Sequence, residues 1–253
     1  MRVQLPNGFI DGVDLFNYAV IGELTGRQQN YLANRDLVVG TIGHIPKILG
    51  DLVLSLETKD GLAWKGNIAE AIYKLPSGDL ETLLIKIREN TYGPRFYHEA
   101  TCTHCEHVNT NLRLDLNSLE LKPMSVEQLL QPKVVTLPKS GIEAELKAIY
   151  LQDLFDIIKI TSSKQDSLIT SLVCVTVKRL GTKSPVTPKD LETLSVVDLN
   201  YIQEVVKDVD LEGTIDSLLQ IDCKNCNKEF ETKLNVYDPN FFSPLKGSSN
   251  TNT

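Results

Sequence analysis

Four of the five cysteines fall into two C-x-x-C pairs, Cys102 with Cys105 and Cys223 with Cys226. Thiolate sulfur is a preferred ligand of zinc, and a tetrahedral site with four sulfur ligands leaves no open position for water or substrate. Residues 106–222 separate the two pairs, a far longer spacing than the roughly 15–20 residues of a compact zinc site. The pattern therefore predicts a structural zinc site that joins distant parts of the chain.

Two other uses of these residues stay open at this point. A redox C-x-x-C pair normally begins a helix, whose N-terminus lowers the pKa of a thiol, and neither pair here precedes a helical pattern. His104 or His107 could replace a sulfur ligand if the second pair lay elsewhere, although exposure to solvent is the simpler interpretation of both. Cys174 lies in an apolar pattern and is predicted to be a small buried side chain. The sequence leaves open whether the metal is zinc or iron.

Each C-x-x-C pair lies between two strand-like segments. The stretches "FYHEATCTHCEHVNTNLRLDL" and "LLQIDCKNCNKEFETKLNV" both continue, after the cysteines, with alternating apolar or β-branched residues. Such alternation is typical of a strand with one buried face. The alternating positions are Val108, Thr110, Leu112 and Leu114 after the first pair, and Phe230, Thr232, Leu234 and Val236 after the second. We therefore predict two hairpins with cysteines at their tips, the first and second knuckle hairpins.

The predicted fold class is α+β. We expect a zinc ribbon built from two distant C-x-x-C-tipped β-hairpins, with an α-rich insertion between them and an N-terminal helical region. The predicted units are an N-terminal helical or mixed region at 1–92, the first knuckle hairpin at 93–122, an α-rich insertion module at 123–214, the second knuckle hairpin at 215–245 and a disordered tail at 246–253.

A leucine-rich helix is predicted just before the first knuckle hairpin. Ser77 is its expected cap and Gly93 its expected end. One face of this helix carries the apolar residues Leu80, Leu83, Leu84 and Ile87. Residues 1–20 are expected to be mostly irregular, because proline and glycine recur there.

The insertion is predicted to consist mainly of helices. Strand-like halves surround Pro138 and Gly141, and residues 165–180 have a helical pattern of apolar residues. Thr187 followed by Pro188 is a typical helix start.

Composition and missing motifs favour a protein-binding role over catalysis or nucleic-acid binding. The net charge is −7, whereas binding to a phosphate backbone depends on clustered lysine and arginine. The sequence contains no P-loop, no dinucleotide fingerprint, no H-E-x-x-H and no G-x-S-x-G. No apolar run reaches the roughly 20 residues needed to cross a bilayer. We therefore expect no enzyme activity and no nucleic-acid, membrane or small-molecule partner.

The order of several segments resembles a known family. A helix "TGRQQNYLA" comes early, "LLIKIRENTYG" leads into "CTHC", and "LPKSG", "LQDL" and several helices precede "CKNC" and "FETKLNVYDPNFF". This order is similar to that of the baseplate hub assembly proteins of contractile-tailed phages and related contractile injection systems, the T-even type hub assembly chaperone. The resemblance covers residues 20–245. It implies a role in building the tail baseplate, as a transient assembly factor or as a retained hub component.

Together these observations predict a non-enzymatic baseplate hub component or assembly chaperone that is stabilised by a structural zinc and binds other baseplate, hub and tail proteins. We expect it in the host cytoplasm during assembly and, if it is retained, in the virion. The alternative is a nucleic-acid-binding zinc-ribbon protein, such as a transcription accessory factor. Near the C-terminus, apolar and aromatic side chains are expected either to anchor a partner or to pack back on the ribbon; these are Val236, Tyr237, Phe241 and Phe242.

Overall fold

The computed structural model describes residues 1–33, 40–162, 173–208, 212–237 and 239–242. The first half of the chain contains β1 (Arg2–Asp11), β2 (Asp14–Ile21), α1 (Gly26–Ala33), α2 (Gly40–Leu52), β3 (Val53–Glu57), α3 (Ile68–Ile72), α4 (Ser77–Tyr92), β4 (Arg95–Thr101), β5 (Val108–Asp115) and β6 (Leu121–Lys122). The second half contains α5 (Val126–Leu130), β7 (Lys133–Thr136), β8 (Glu143–Leu146), α6 (Leu151–Ser162), β9 (Val177–Leu180), α7 (Pro188–Glu192), α8 (Val196–Asp208), β10 (Thr214–Ile215), β11 (Leu218–Asp222) and β12 (Glu229–Lys233).

The protein has a mixed α/β fold with several small antiparallel sheets. Two sheets have three strands, in the orders β1-β2-β3 and β7-β8-β9. The pairs β4-β5, β6-β10 and β11-β12 form two-stranded sheets. The β4-β5 and β11-β12 pairs are the two knuckle hairpins, and their antiparallel pairing agrees with the strands expected on either side of each C-x-x-C turn.

The first twenty residues form a hairpin, so the prediction of an irregular N-terminus is wrong. The register between β1 and β2 shifts between Gln4 and Phe9, and this bulge contains the glycine and proline that suggested an irregular chain. Gly8 has a φ of +71°, and a Cβ there would lie 2.3 Å from the Phe16 carbonyl oxygen. Gly12, with a φ of +63°, lies in the turn between the strands. Proline and glycine here mark a bulge within the edge strand β1 and the turn that follows it.

Helix α4 connects the main core to the first knuckle hairpin. The four apolar residues of its predicted face, Leu80, Leu83, Leu84 and Ile87, are fully buried. Gly93 ends the helix as expected, with a φ of +80°. The cap position is occupied by Pro76 rather than by Ser77, which is the first helical residue. Proline suits the start of a helix because its fixed φ is compatible with the first turn.

The insertion module contains a three-stranded sheet in addition to its helices. The predicted strands around Pro138 and Gly141 are β7 and β8. The helix predicted at 165–180 is wrong at its C-terminal end, because Val177–Leu180 is strand β9, paired with β8. Residues 173–176 are helical, and residues 165–172 lie outside the described part of the chain. Valine and threonine in this segment favour a strand, which the apolar spacing alone did not reveal.

Both ends of the insertion module are fastened to the bulge of β1. The Met124 amide donates to the Pro6 carbonyl at 2.8 Å. Asn7 accepts a hydrogen bond from the Gly213 amide and donates its side-chain amide to the Gly213 carbonyl. Between these two contacts, β6 and β10 pair with each other. Because β6 follows the first knuckle hairpin and β10 precedes the second, this closure brings the two hairpins together.

The aromatic residues near the C-terminus lie in the main core, so they do not form an exposed anchor. Phe241 and Phe242 are 0% and 2% exposed. The Phe241 ring makes an edge contact with Phe96 of β4, at 5.2 Å between centroids. The buried guanidinium of Arg88 donates to the Phe241 carbonyl at 3.0 Å. Val236 is buried as well, and the predicted disordered tail at 246–253 lies outside the described residues.

Candidate metal centre

The first knuckle is a tight turn at the tip of the β4-β5 hairpin. The Cys102 amide donates to the His107 carbonyl at 2.9 Å, and the Glu106 amide donates to the Cys102 carbonyl at 3.0 Å. Glu106 adopts a left-handed backbone with a φ of 57°, a conformation that costs most residues roughly 1–2 kcal/mol. The turn therefore holds Cys102 and Cys105 on the same side of the hairpin tip.

The second knuckle repeats this conformation position by position. The Cys223 amide donates to the Lys228 carbonyl at 3.0 Å, and the Asn227 amide donates to the Cys223 carbonyl at 2.9 Å. Asn227 has a φ of 54° and occupies the position that corresponds to Glu106. Asparagine tolerates the left-handed region better than glutamate. Two turns of the same geometry thus present two cysteines each.

All four cysteines of the two pairs meet between the hairpins. Their sulfur atoms lie within 4.8 Å of one another. Two of these separations join the two hairpins, with 3.8 Å from Cys102 Sγ to Cys226 Sγ and 3.7 Å from Cys105 Sγ to Cys223 Sγ. A tetrahedral site with Zn–S bonds of about 2.3 Å places its sulfurs about 3.8 Å apart. The donor set and its spacing therefore fit zinc.

The centre is half enclosed by its own small core. Cys102 and Cys223 are each 1% exposed, and Cys105 and Cys226 are partly exposed. Ala100, Ile221 and Phe230 pack around the sulfurs. The buried residues of this core differ from those of the main core and of the insertion module, and Leu219 packs against both this core and the main core.

The environment of Cys223 favours a thiolate. Burial opposes the charged form, but hydrogen bonds from the backbone amides of Cys226 and Asn225 and from the Asn109 side chain lower the pKa of Cys223 to about 6. The pKa of Cys105 is also lowered, by the hydrogen bond with the His107 backbone and by the side chain of Asn225. Burial and the three neighbouring cysteine side chains instead raise the pKa of Cys226 to about 11. Because only a deprotonated cysteine binds a metal, the hydrogen-bond donors favour Cys105 and Cys223 as the first thiolate ligands.

The two neighbouring histidines do not join the sulfur cluster. The His104 ring nitrogen Nε2 lies 3.0 Å from the Glu229 carbonyl oxygen and links the two hairpins at their surface. His107 contributes its backbone carbonyl to the turn. Cys174 lies in the insertion module, where its Sγ contacts the Val186 carbonyl at 3.5 Å. Among the described residues, the four knuckle cysteines are the group whose ligand atoms converge.

Sequence reasoning missed Asn109, which is fully buried beside the cluster. The register of β4-β5 shifts between His98 and Ala100, and Asn111 has a φ of 55°. This bulge changes which residues face inward: Val108 and Thr110 are exposed, contrary to the predicted alternation, while Asn109 points to the sulfurs. Asparagine is depleted in strands, so its presence in the strand-like segment after Cys105 was the available sequence signal for a special role of Asn109.

The second hairpin keeps its predicted alternation. Phe230, Leu234 and Val236 are buried, and Thr232 is half-buried. The opposite face carries Asp222 directly across from Glu229. Like charges directly across from each other are mildly destabilising.

Comparison with known proteins identifies one family. Residues 51–242 match the family described as T4 bacteriophage base plate protein. This match includes both knuckle hairpins and the insertion module. No curated protein and no solved structure matches the chain. Within the described residues, the helices are too short or too polar to cross a membrane.

Proposed function

Because the chain belongs to the T4 bacteriophage base plate protein family, we propose that it is a non-enzymatic hub component or assembly chaperone of a phage tail baseplate. The match over residues 51–242 carries this proposal. The proposed partners are other baseplate, hub and tail proteins. The protein acts in the host cytoplasm during assembly, and a retained copy lies in the baseplate of the virion.

The proposed role of the cysteine cluster is to hold one structural zinc ion. Cys102, Cys105, Cys223 and Cys226 are the ligands, and the spacing of their sulfur atoms supports this assignment. Four thiolates complete a tetrahedral site, so a bound zinc offers no position for water or substrate. The site joins the two hairpins, and with them the chain on either side of the insertion module. Because the metal would hold the two hairpins together, the protein would present its surfaces to other subunits in a fixed arrangement.

The alternative of a nucleic-acid-binding zinc ribbon is less well supported. A nucleic-acid interface needs an array of lysine and arginine. On the second hairpin, Asp222 and Glu229 face each other across the strands, and Lys233 lies 3.6 Å from the carboxylate of Glu81. Its three lysines, Lys224, Lys228 and Lys233, are matched by three carboxylates, Asp222, Glu229 and Glu231, so this hairpin offers no cluster of positive charge to a phosphate backbone.

Disruption of the gene in its phage tests the baseplate role. We expect phage particles without functional contractile tails, and recovery of tail assembly when the wild-type protein is supplied from a plasmid. Complementation by Cys223→Ser should fail, whereas complementation by Cys174→Ser should succeed, because Cys174 lies outside the sulfur cluster. Electron microscopy of the particles provides the measurement. Normal tails after disruption of the gene would contradict the proposed function.

A direct binding assay tests the alternative. The purified zinc-loaded protein should not shift a short single-stranded or duplex oligonucleotide at physiological salt, because its net charge of −7 opposes binding to a phosphate backbone. A submicromolar, salt-dependent shift would favour the nucleic-acid-binding alternative over the baseplate role.

A further inference from the structure

Asn109 is a buried polar side chain at a position where the matching knuckle has an apolar one. It lies four residues after Cys105, and Phe230 lies four residues after Cys226. Both positions face the core around the sulfurs, where Asn109 is 0% and Phe230 3% exposed. Burial of an amide without hydrogen bonds costs roughly 1–3 kcal/mol. The asparagine must therefore be well satisfied to be tolerated here.

The hydrogen bonds of Asn109 link the two knuckles. Its Oδ1 accepts the backbone amide of Lys224 at 2.9 Å, across the gap between the hairpins. Its Nδ2 lies 3.2 Å from the His107 carbonyl oxygen in the first knuckle, and 3.6 Å from Cys223 Sγ in the second. Because the Lys224 amide can only donate, the oxygen must face it and the NH2 group must face the sulfur.

These contacts hold the second knuckle in place through its backbone. Lys224 directly follows Cys223, so a hydrogen bond to its amide fixes the peptide that positions the Cys223 sulfur. The same side chain donates to that sulfur, which strengthens a thiolate ligand by a charge-assisted hydrogen bond. Groups that orient metal ligands in this manner commonly contribute as much to affinity as to geometry.

We propose that Asn109 is the positioning residue of the metal centre: it docks the second knuckle on the first and orients the Cys223 sulfur toward the other three. This inference rests on the proposed zinc site. The side chain of Asn109 thereby links two ligand pairs that are more than a hundred residues apart in the sequence.

The experiment compares zinc affinity in the full-length wild-type protein and three variants by competition with a chromogenic chelator. Asn109→Leu removes all of the hydrogen bonds at similar volume, and Asn109→Asp keeps an acceptor for the Lys224 amide but loses the donor to sulfur. Loss of an outer-shell partner typically weakens metal affinity roughly 10- to 100-fold, and we expect this for Asn109→Leu. Asn109→Asp should also bind zinc more weakly than wild type, because a carboxylate oxygen then faces the sulfur.

Asn225→Ala is the matched control. The side-chain Nδ2 of Asn225 also donates to a cysteine sulfur of the other hairpin, Cys105 Sγ at 3.7 Å, but this contact is exposed to solvent. We expect a smaller loss of affinity for this variant than for either Asn109 variant. Cobalt substitution adds a spectroscopic test, because the intensity of the visible bands depends on tetrahedral geometry. The Asn109 variants should have weaker bands than Asn225→Ala at cobalt saturation.

The outcomes separate this inference from the proposed site itself. If wild-type protein binds no metal, the proposal of a zinc site is wrong. If wild type binds one zinc tightly, and both Asn109 variants match Asn225→Ala in affinity and in cobalt spectrum, the zinc site stands and the role of Asn109 is refuted. Should Asn109→Leu fail to fold, Asn109→Asp decides the question, since it retains the contact to the Lys224 amide.

Discussion

Removal of the metal is expected to destabilise the whole protein, because the proposed site closes a very long loop. Cys105 and Cys223 are 118 positions apart in the sequence. A cross-link over a loop of this length restricts the unfolded chain by an entropy equivalent to about 5 kcal/mol. The total free energy of unfolding of most proteins is only ~5–15 kcal/mol. The metal should therefore account for a large share of the stability.

Thermal unfolding with and without a strong chelator measures this contribution. For a chain of this size, 1 kcal/mol corresponds to roughly 2–4 °C in Tm, so loss of about 5 kcal/mol should lower Tm by about 10–20 °C. The Cys223→Ser variant should have the low Tm without any chelator and should exchange amide protons faster in residues 90–120. The Cys174→Ser variant should contain one zinc per chain and respond to the chelator as wild type does.

An unchanged Tm after removal of the zinc, or equal losses of stability in Cys223→Ser and Cys174→Ser, would show that the metal does not stabilise the fold. Elemental analysis must accompany the unfolding curves, since protein purified without chelator should contain about one zinc per four-thiolate site. Visible absorbance typical of an iron–thiolate centre would show that the bound metal is iron and not zinc. The four cysteines would still be its ligands.

Three further predictions concern the core, the knuckle turn and the buried carboxylates. Phe241→Ala should lower the free energy of unfolding by ~3–5 kcal/mol, because it leaves a cavity beside Phe96; chemical denaturation measures this loss. Glu106→Asn should raise stability by ~1 kcal/mol, because asparagine adopts the left-handed backbone at lower cost, and the Tm of the zinc-loaded protein provides the measurement. Burial raises the pKa of Asp79 from 3.8 and that of Glu212 from 4.5 to about 7, so each contributes stability that is fully present below its unfolded pKa and is lost progressively until the pH passes 7. Urea titrations of the zinc-loaded protein between pH 5 and 8 should show a decrease in stability up to pH 7 and little further change above it.

Each of these predictions has a control. Stability equal to wild type in Phe241→Ala, with loss of tail assembly, would restore the idea of an aromatic anchor for a partner. The reciprocal variant Asn227→Glu should destabilise the second knuckle; if it does not, backbone strain at Glu106 is not the cause of any gain. Glu212→Gln should reduce the pH dependence, and an unchanged slope would show that other groups cause it.

The sequence determined the features that depend on neighbouring residues. The two C-x-x-C turns, the strands on either side of them and the apolar face of α4 follow from short-range spacing, and the hydrogen bonds within each knuckle involve residues at most five positions apart. Thr187, Pro188 and Asp190 likewise specify a helix start locally, and the structure contains the capping box there. For these elements the chain requires no distant partner.

Features that depend on a register shift or on a distant partner could not be read from the sequence. The strand character of residues 1–20 was hidden by the bulge at Pro6 and Gly8, and the inward position of Asn109 by the bulge at Asn111. A bulge changes the face of every residue beyond it, so a regular alternation predicts the wrong side.

The tertiary structure also decided which long-range contacts form. The aromatic pair Phe241 and Phe242 packs in the main core because Phe96 and Arg88 provide its contacts there, and spacing alone cannot identify such partners. The meeting of the two knuckles depends on the closure at β6 and β10. The sequence by itself determined which four sulfurs were available, and the packing of segments more than a hundred residues apart decided that they converge.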